Sequence, residues 1–243
     1  MIKPVFFLSC VILALYTNSS YSQVSVDSSE ITSSVPELFA FHEVIYPIWH
    51  TAYPAKDIKA LKGFVPQIKT HMEAINKAVL PGILKDKDAA WKNQLQELNK
   101  AAENYYKASE GQDDEAILAA AENLHANFEK SVRVIRPVMQ EMDEYHQTLY
   151  IIYHKLYPSG KYDEIARMMD GLVLKADAIV KFPQDRLKRR LGDRISRYEV
   201  ASKDLYSATV ALQEALGGTD AVKKVQAVEH MHTQYRNLES VFE

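Results

Sequence analysis

His42-Glu43-Val44-Ile45-Tyr46-Pro47-Ile48-Trp49-His50 returns 104 residues later as His146-Gln147-Thr148-Leu149-Tyr150-Ile151-Ile152-Tyr153-His154. A histidine opens and closes each stretch, a tyrosine stands at its centre, and an aromatic residue precedes the closing histidine. The match continues at the same offset, Tyr53-Pro54 with Tyr157-Pro158 and Glu73-Ala74-Ile75 with Asp177-Ala178-Ile179. Further on, Glu122-Asn123-Leu124-His125 with Phe128 answers Glu229-His230-Met231-His232 with Tyr235, now at an offset of 107. Recurrence in order and at nearly constant spacing is the signature of an internal duplication. The change of offset needs only a loop insertion, for which Gly217-Gly218 is a natural place.

Breakers divide each unit into four helices. In the first, helices are expected over about 37–53, 57–79 and 89–109, with a fourth starting at Asp113 or Asp114. Tyr53-Pro54, Pro81-Gly82 and Gly111 separate them, and Pro47 and Pro66 should kink the helices that hold them. The fourth carries Ile117, Leu118, Ala121, Leu124, Phe128 and Val132, the spacing of one buried stripe. The second unit reads alike, over about 137–157, 162–180, 184–216 and 219–242. Only Arg136-Pro137 separates the fourth helix from the fifth, so the two are expected as one kinked helix. Short loops favour antiparallel neighbours, so the predicted fold is all-α: two tandem up-down-up-down four-helix bundles, 36–135 and 136–243.

Ahead of the duplication, Lys3, the apolar run Val5 to Leu15 and the polar stretch ending Ser20-Tyr21-Ser22 form the pattern of a secretory signal peptide over 1–22. Polar residues 23–35 read as a flexible leader. The expected location is periplasmic or secreted. The only cysteine, Cys10, lies within the signal run, so a mature chain would have no disulfide, thiolate ligand or cysteine nucleophile. No later apolar run reaches transmembrane length. A net charge of -3 argues against a nucleic-acid partner, and the basic run Arg186-Leu187-Lys188-Arg189-Arg190 is answered by Asp185 and Asp193.

Six of the eight histidines fall at repeat-equivalent positions. A duplicated scaffold needs only apolar character to stay folded, so recurrent imidazole points to a use. Counting 1.5 Å per residue along antiparallel helices brings His42 and His125 to one depth, with Glu122 a turn from His125. His71 and Glu73 lie slightly deeper on the second helix. The expected ligands in the first unit are therefore His42, Glu122 and His125 with His71 or Glu73, and in the second His146, Glu229, His232 and Asp177. His50, His154 and His230 are peripheral, since His50 lies eight residues from His42 and turns about 80° away from it. Two imidazoles with carboxylate oxygens suit Zn, Cu, Ni or Fe.

The helix count, the expected export and a histidine on each last helix, His125 and His232, resemble the periplasmic four-helix cytochromes of the b562 and c′ type. That resemblance implies haem with an axial ligand there. The methionine that b562-type proteins place on the first helix is missing from the first helix of the first unit, and a c-type attachment sequence needs cysteines that a mature chain would lack. His42 or His146 would then be the second axial ligand. Three readings stand: a metal-binding protein that sequesters, carries or senses a transition metal, a haem-b electron carrier, or a structural or partner-binding bundle with polar layers that fix helix register. Phosphate-loop and nucleophile motifs are absent, so no catalytic residue is assigned and binding is favoured over catalysis.

Overall fold

The computed structural model describes residues 27–242, and the expected signal segment 1–22 lies outside them. Among the described residues the fold is all-α. The first half holds α1 (Pro36–Pro47), α2 (Ile58–Gly63), α3 (Val65–Lys77), α4 (Asp88–Glu110) and α5 (Asp114–Ile135). The second holds α6 (Gln140–Tyr150), α7 (Tyr162–Val180), α8 (Gln184–Leu191), α9 (Ile195–Gly217) and α10 (Ala221–Ser240). No described helix is long and apolar enough to cross a membrane.

Local chemistry sets several boundaries. Aspartates cap α2, α5 and α10: the carboxylates of Asp57, Asp113 and Asp220 accept backbone N–H bonds from Ala60, Glu115 and Val222 at 2.9, 3.0 and 3.0 Å. Pro66 breaks the expected second helix, and α2 hands over to α3 at Phe64. Near the Tyr-Pro stops the chain widens into a π-helical turn, Ile48–Ala52 after α1 and Ile151–Leu156 after α6. The Tyr53 N–H bonds to the Ile48 carbonyl, and the Tyr157 N–H to that of Ile152, each five residues back.

The structure departs from the sequence reading in several further places. α5 and α6 do not join, because Arg136 and Met139 are extended around Pro137. The long helix expected over 184–216 is broken into α8 and α9 by a 3₁₀ turn, Gly192–Arg194, in which Gly192 has φ 54°, a value costly for any residue with a Cβ. The offset also reaches 107 before α9, since α4 opens at Asp88 and α9 at Ile195 and each has 23 residues, so the extra residues fall ahead of α9 and not at Gly217-Gly218.

Buried side chains form two apolar sets. Leu38, Phe41, Ile68, Trp91, Leu124 and Phe128 belong to the first, and Tyr145, Ile165, Met169, Tyr198, Met231 and Tyr235 to the second. Tyr150 crosses over: it lies on α6 yet packs in the first set. Of residues expected to form a flexible leader, Ser28–Ile31 makes a 3₁₀ turn, Ser33 donates to Asp143 at 2.8 Å, and Val35 is buried.

Candidate metal centre

The site begins with the segment that joins α3 to α4. Ala78 turns extended and Pro81 prevents the helix from resuming, so 82–87 becomes a 3₁₀ turn. Ile83 and Leu84 bury themselves in the first apolar set, which fixes the inner side of this strap. Its outer side lies against the second half. A Cβ placed on Gly82 would come within 2.0 Å of the Tyr150 hydroxyl oxygen, so only glycine permits so close an approach. Tyr150 donates to Glu30 at 3.1 Å, and Lys155 pairs with the same carboxylate at 2.5 Å. Lys87 pairs with Glu239 of α10 at 2.9 Å, both largely shielded from solvent.

Between these anchors the strap delivers Asp86. Its Oδ2 lies 3.2 Å from Nε2 of His232, on α10. His154, from the π turn after α6, completes the group: one ligand-type atom each from Asp86, His154 and His232 lies within 4.8 Å of the others, and all three residues are half-buried. The rings are held by aromatic neighbours. Tyr153 stacks on His232 at 3.8 Å between centroids and 4° between planes, and meets His154 edge-on at 5.1 Å. The Tyr153 hydroxyl donates to Glu229 at 2.9 Å.

The protonation of Asp86 and His154 leaves both able to take a cation, with Lys85, Lys155 and Arg236 also acting on them. The hydrogen bond from His232 holds the Asp86 carboxyl below the usual carboxylate range, so the group is ionised at neutral pH. Burial pushes the His154 imidazole down, leaving it neutral with a free lone pair. The Tyr153 hydroxyl is pushed up to about 12, by burial first and then by its bond to Glu229, and stays a neutral stacking partner. Around a tetrahedral Zn(II), with bonds near 2.0–2.2 Å, ligand atoms stand about 3.3 Å apart. Side-chain adjustments of roughly 1–1.5 Å convert the present spacing into that one. Three protein ligands leave a coordination position for water or a small molecule.

Of the residues expected to converge, His232 alone joins this group. Three of the others in the second half stand around or away from it. His146 is buried and stacks on Tyr235 at 4.6 Å, and burial drives its imidazole down to about 3. It borders a cavity of about 10 Å³ shared with Lys87, Asp143 and Glu239, room for about one water. Glu229 is exposed and holds Tyr153, and Asp177 pairs with Lys181 at 2.6 Å. His230 is exposed.

In the first half, His125 stacks on Trp49 at 4.2 Å, His42 lies against Phe128 at 5.9 Å, and His71 stacks on Phe41 at 5.7 Å. Glu122 accepts from the Tyr53 hydroxyl at 3.3 Å, and Glu73 pairs with Lys77 at 2.6 Å. Among the described residues, Asp86, His154 and His232 are the only three such side chains whose ligand atoms gather within 4.8 Å.

Sequence reasoning set His154 at the periphery and passed over Asp86. A turn with five-residue closure shifts the phase of the residues beyond it, so counting 100° per residue misplaces His154. Asp86 sits in Lys85-Asp86-Lys87, which reads as solvated charge. The available signal was the apolar pair Ile83-Leu84 behind Pro81-Gly82, which marks a strap pinned to a core rather than a free loop.

No protein-family model matches the chain, and no match appears among the curated proteins or the solved structures. The functional reading therefore rests on the site's own geometry.

Proposed function

We propose that this is an exported, internally duplicated helical protein that binds one transition-metal ion through Asp86, His154 and His232, in order to sequester, carry or sense it. The observation that supports this reading is the gathering of three ligand atoms from three separate segments within 4.8 Å. Two imidazoles and one carboxylate with an open position suit Zn(II), Cu(II), Ni(II) or Fe(II). Export rests on the signal pattern of 1–22, and duplication on the matching order of His, Tyr and Glu in the two halves. Kinship of architecture with periplasmic four-helix cytochromes belongs to the same proposal. Binding is favoured over catalysis because the sequence carries no phosphate-loop or nucleophile motif.

A second reading draws on the 3.2 Å contact between His232 and Asp86, which by itself makes a polar latch between the halves without any ion. Calorimetric titration of untagged protein with Zn(II) separates the two. The metal reading predicts one ion per chain in this site and a rise in Tm on loading. His154→Ala and His232→Ala should each weaken that binding by at least ~100-fold, more than the loss of a supporting residue costs. Binding that ignores both substitutions, or a Tm that ignores Zn(II), overturns the metal reading and leaves the latch.

A further inference from the structure

The strap that carries Asp86 has a counterpart whose carboxylate stands in solvent. Asp86 stands two residues before the first residue of α4 and Asp193 two before the first residue of α9, each within a 3₁₀ turn that leads into a 23-residue helix. Asp86 reaches His154 and His232, whereas Asp193 is exposed. Conversely, the first half holds a pair of imidazoles that no strap covers. His50 and His125 occupy the places of His154 and His232: Trp49 stacks on His125 with 6° between planes, as Tyr153 does on His232 with 4°. Tyr46 lies 4.5 Å from His50, as Tyr150 lies 5.0 Å from His154.

Exposure shows what is missing. Tyr150, under the strap, is 5% exposed, and its counterpart Tyr46 is 53% exposed. Phe39, Glu43, Tyr46 and His50 form one open helical stripe. A single chain thus presents, in its second half, an exposed aspartate that gathers no imidazole pair and, in its first half, an imidazole pair that no aspartate strap covers.

We propose that a second copy of this chain docks head to tail on the first, Asp193 of one copy meeting His50 and His125 of the next, with a transition-metal ion held at the joint. The inference rests on the metal reading of the Asp86 site, of which the joint is a copy formed between chains. The contact is narrower than the one within the chain, because at the offset of 107 Arg189 stands where the first strap has Gly82 and its close approach to tyrosine. Without metal the small surface does not hold two chains, and the protein is a monomer. With metal the interface is heterologous, so each added copy exposes a new end and assembly continues past the dimer.

Sedimentation velocity of untagged protein, with and without Zn(II), tests this. The expected result is a monomer without metal and a mass that grows beyond the dimer with metal and concentration. Asp193→Asn and His50→Ala, both at exposed positions, each stop growth while one Zn(II) per chain still binds at the Asp86 site. An equimolar mixture of the two variants gives dimers and nothing larger, because each supplies the end that the other lacks. Growth that survives either substitution overturns the proposal. A metal-loaded chain that stays monomeric overturns it too while leaving the Asp86 site standing, and a protein that binds no Zn(II) sinks both.

Discussion

Tyr46 and Tyr150 occupy matching places and live in opposite surroundings. Each lies beside the closing histidine of its nonapeptide, and each precedes a stacked aromatic and imidazole pair. In the second half a strap from the first half lies over this face, brings a carboxylate to two imidazoles and buries the tyrosine; in the first half the same face is open. The aromatic pairing thus recurs in both halves, whereas the candidate centre forms where the two halves touch. A site assembled in this way cannot be found by inspecting one half.

The two halves should answer acid very differently. Burial lowers His146 to about 3 in the folded protein, against about 6.5 in an unfolded chain. Below pH 6.5 the unfolded state takes up a proton that the folded state refuses, so stability falls as pH drops from about 6.5 toward 3, by on the order of 4 kcal/mol in total. Asp86 adds a smaller loss at lower pH, as acid protonates its depressed carboxyl. His146→Phe should flatten the upper window in urea unfolding measured at pH 7 and pH 4. His42→Phe, at the exposed matching position, should leave it unchanged. Equal effects from the two substitutions would break the comparison.

A smaller effect is expected from the strap's seat. Gly82→Ala places a methyl group against the Tyr150 hydroxyl and should cost about 1–3 kcal/mol in thermal unfolding. At Gly111, where an added Cβ would come no closer than 3.5 Å to its neighbours, the same change should stay within about 0.5 kcal/mol. A neutral Gly82→Ala would mean that the strap does not press on α6.

The smallest difference is between two ion pairs. Lys87→Met strands the shielded Glu239 and should cost about 1–2 kcal/mol. Lys77→Met removes an exposed partner of Glu73 and should cost less than about 0.5 kcal/mol. Parity in paired melts would place the strap's charge in open water.

Much of the scaffold is legible in the sequence because helix stops are local chemistry. Asp113 caps the helix expected to start there, and 162–180 is a helix as its flanking breakers predict. The break between α8 and α9 is less legible, since Gly192 in a strongly helical run reads as a tolerated glycine until its positive φ is seen. For the site, His232 is readable from its recurrence. The role of Asp86 is not, because it depends on contact between segments 146 residues apart in sequence. His154 is obscured by the π turn, whose extra width no residue in Ile151–Leu156 announces.

The central claim is that the second half's two imidazoles and the first half's carboxylate hold one ion. Anomalous diffraction from crystals of Zn(II)-loaded protein, recorded across the zinc edge, tests it most directly. The account predicts a strong peak at about 2.0–2.2 Å from Asp86 Oδ2, His232 Nε2 and a ring nitrogen of His154. Loaded crystals with no peak among these three atoms, and with His232 still bonded directly to Asp86, would contradict it.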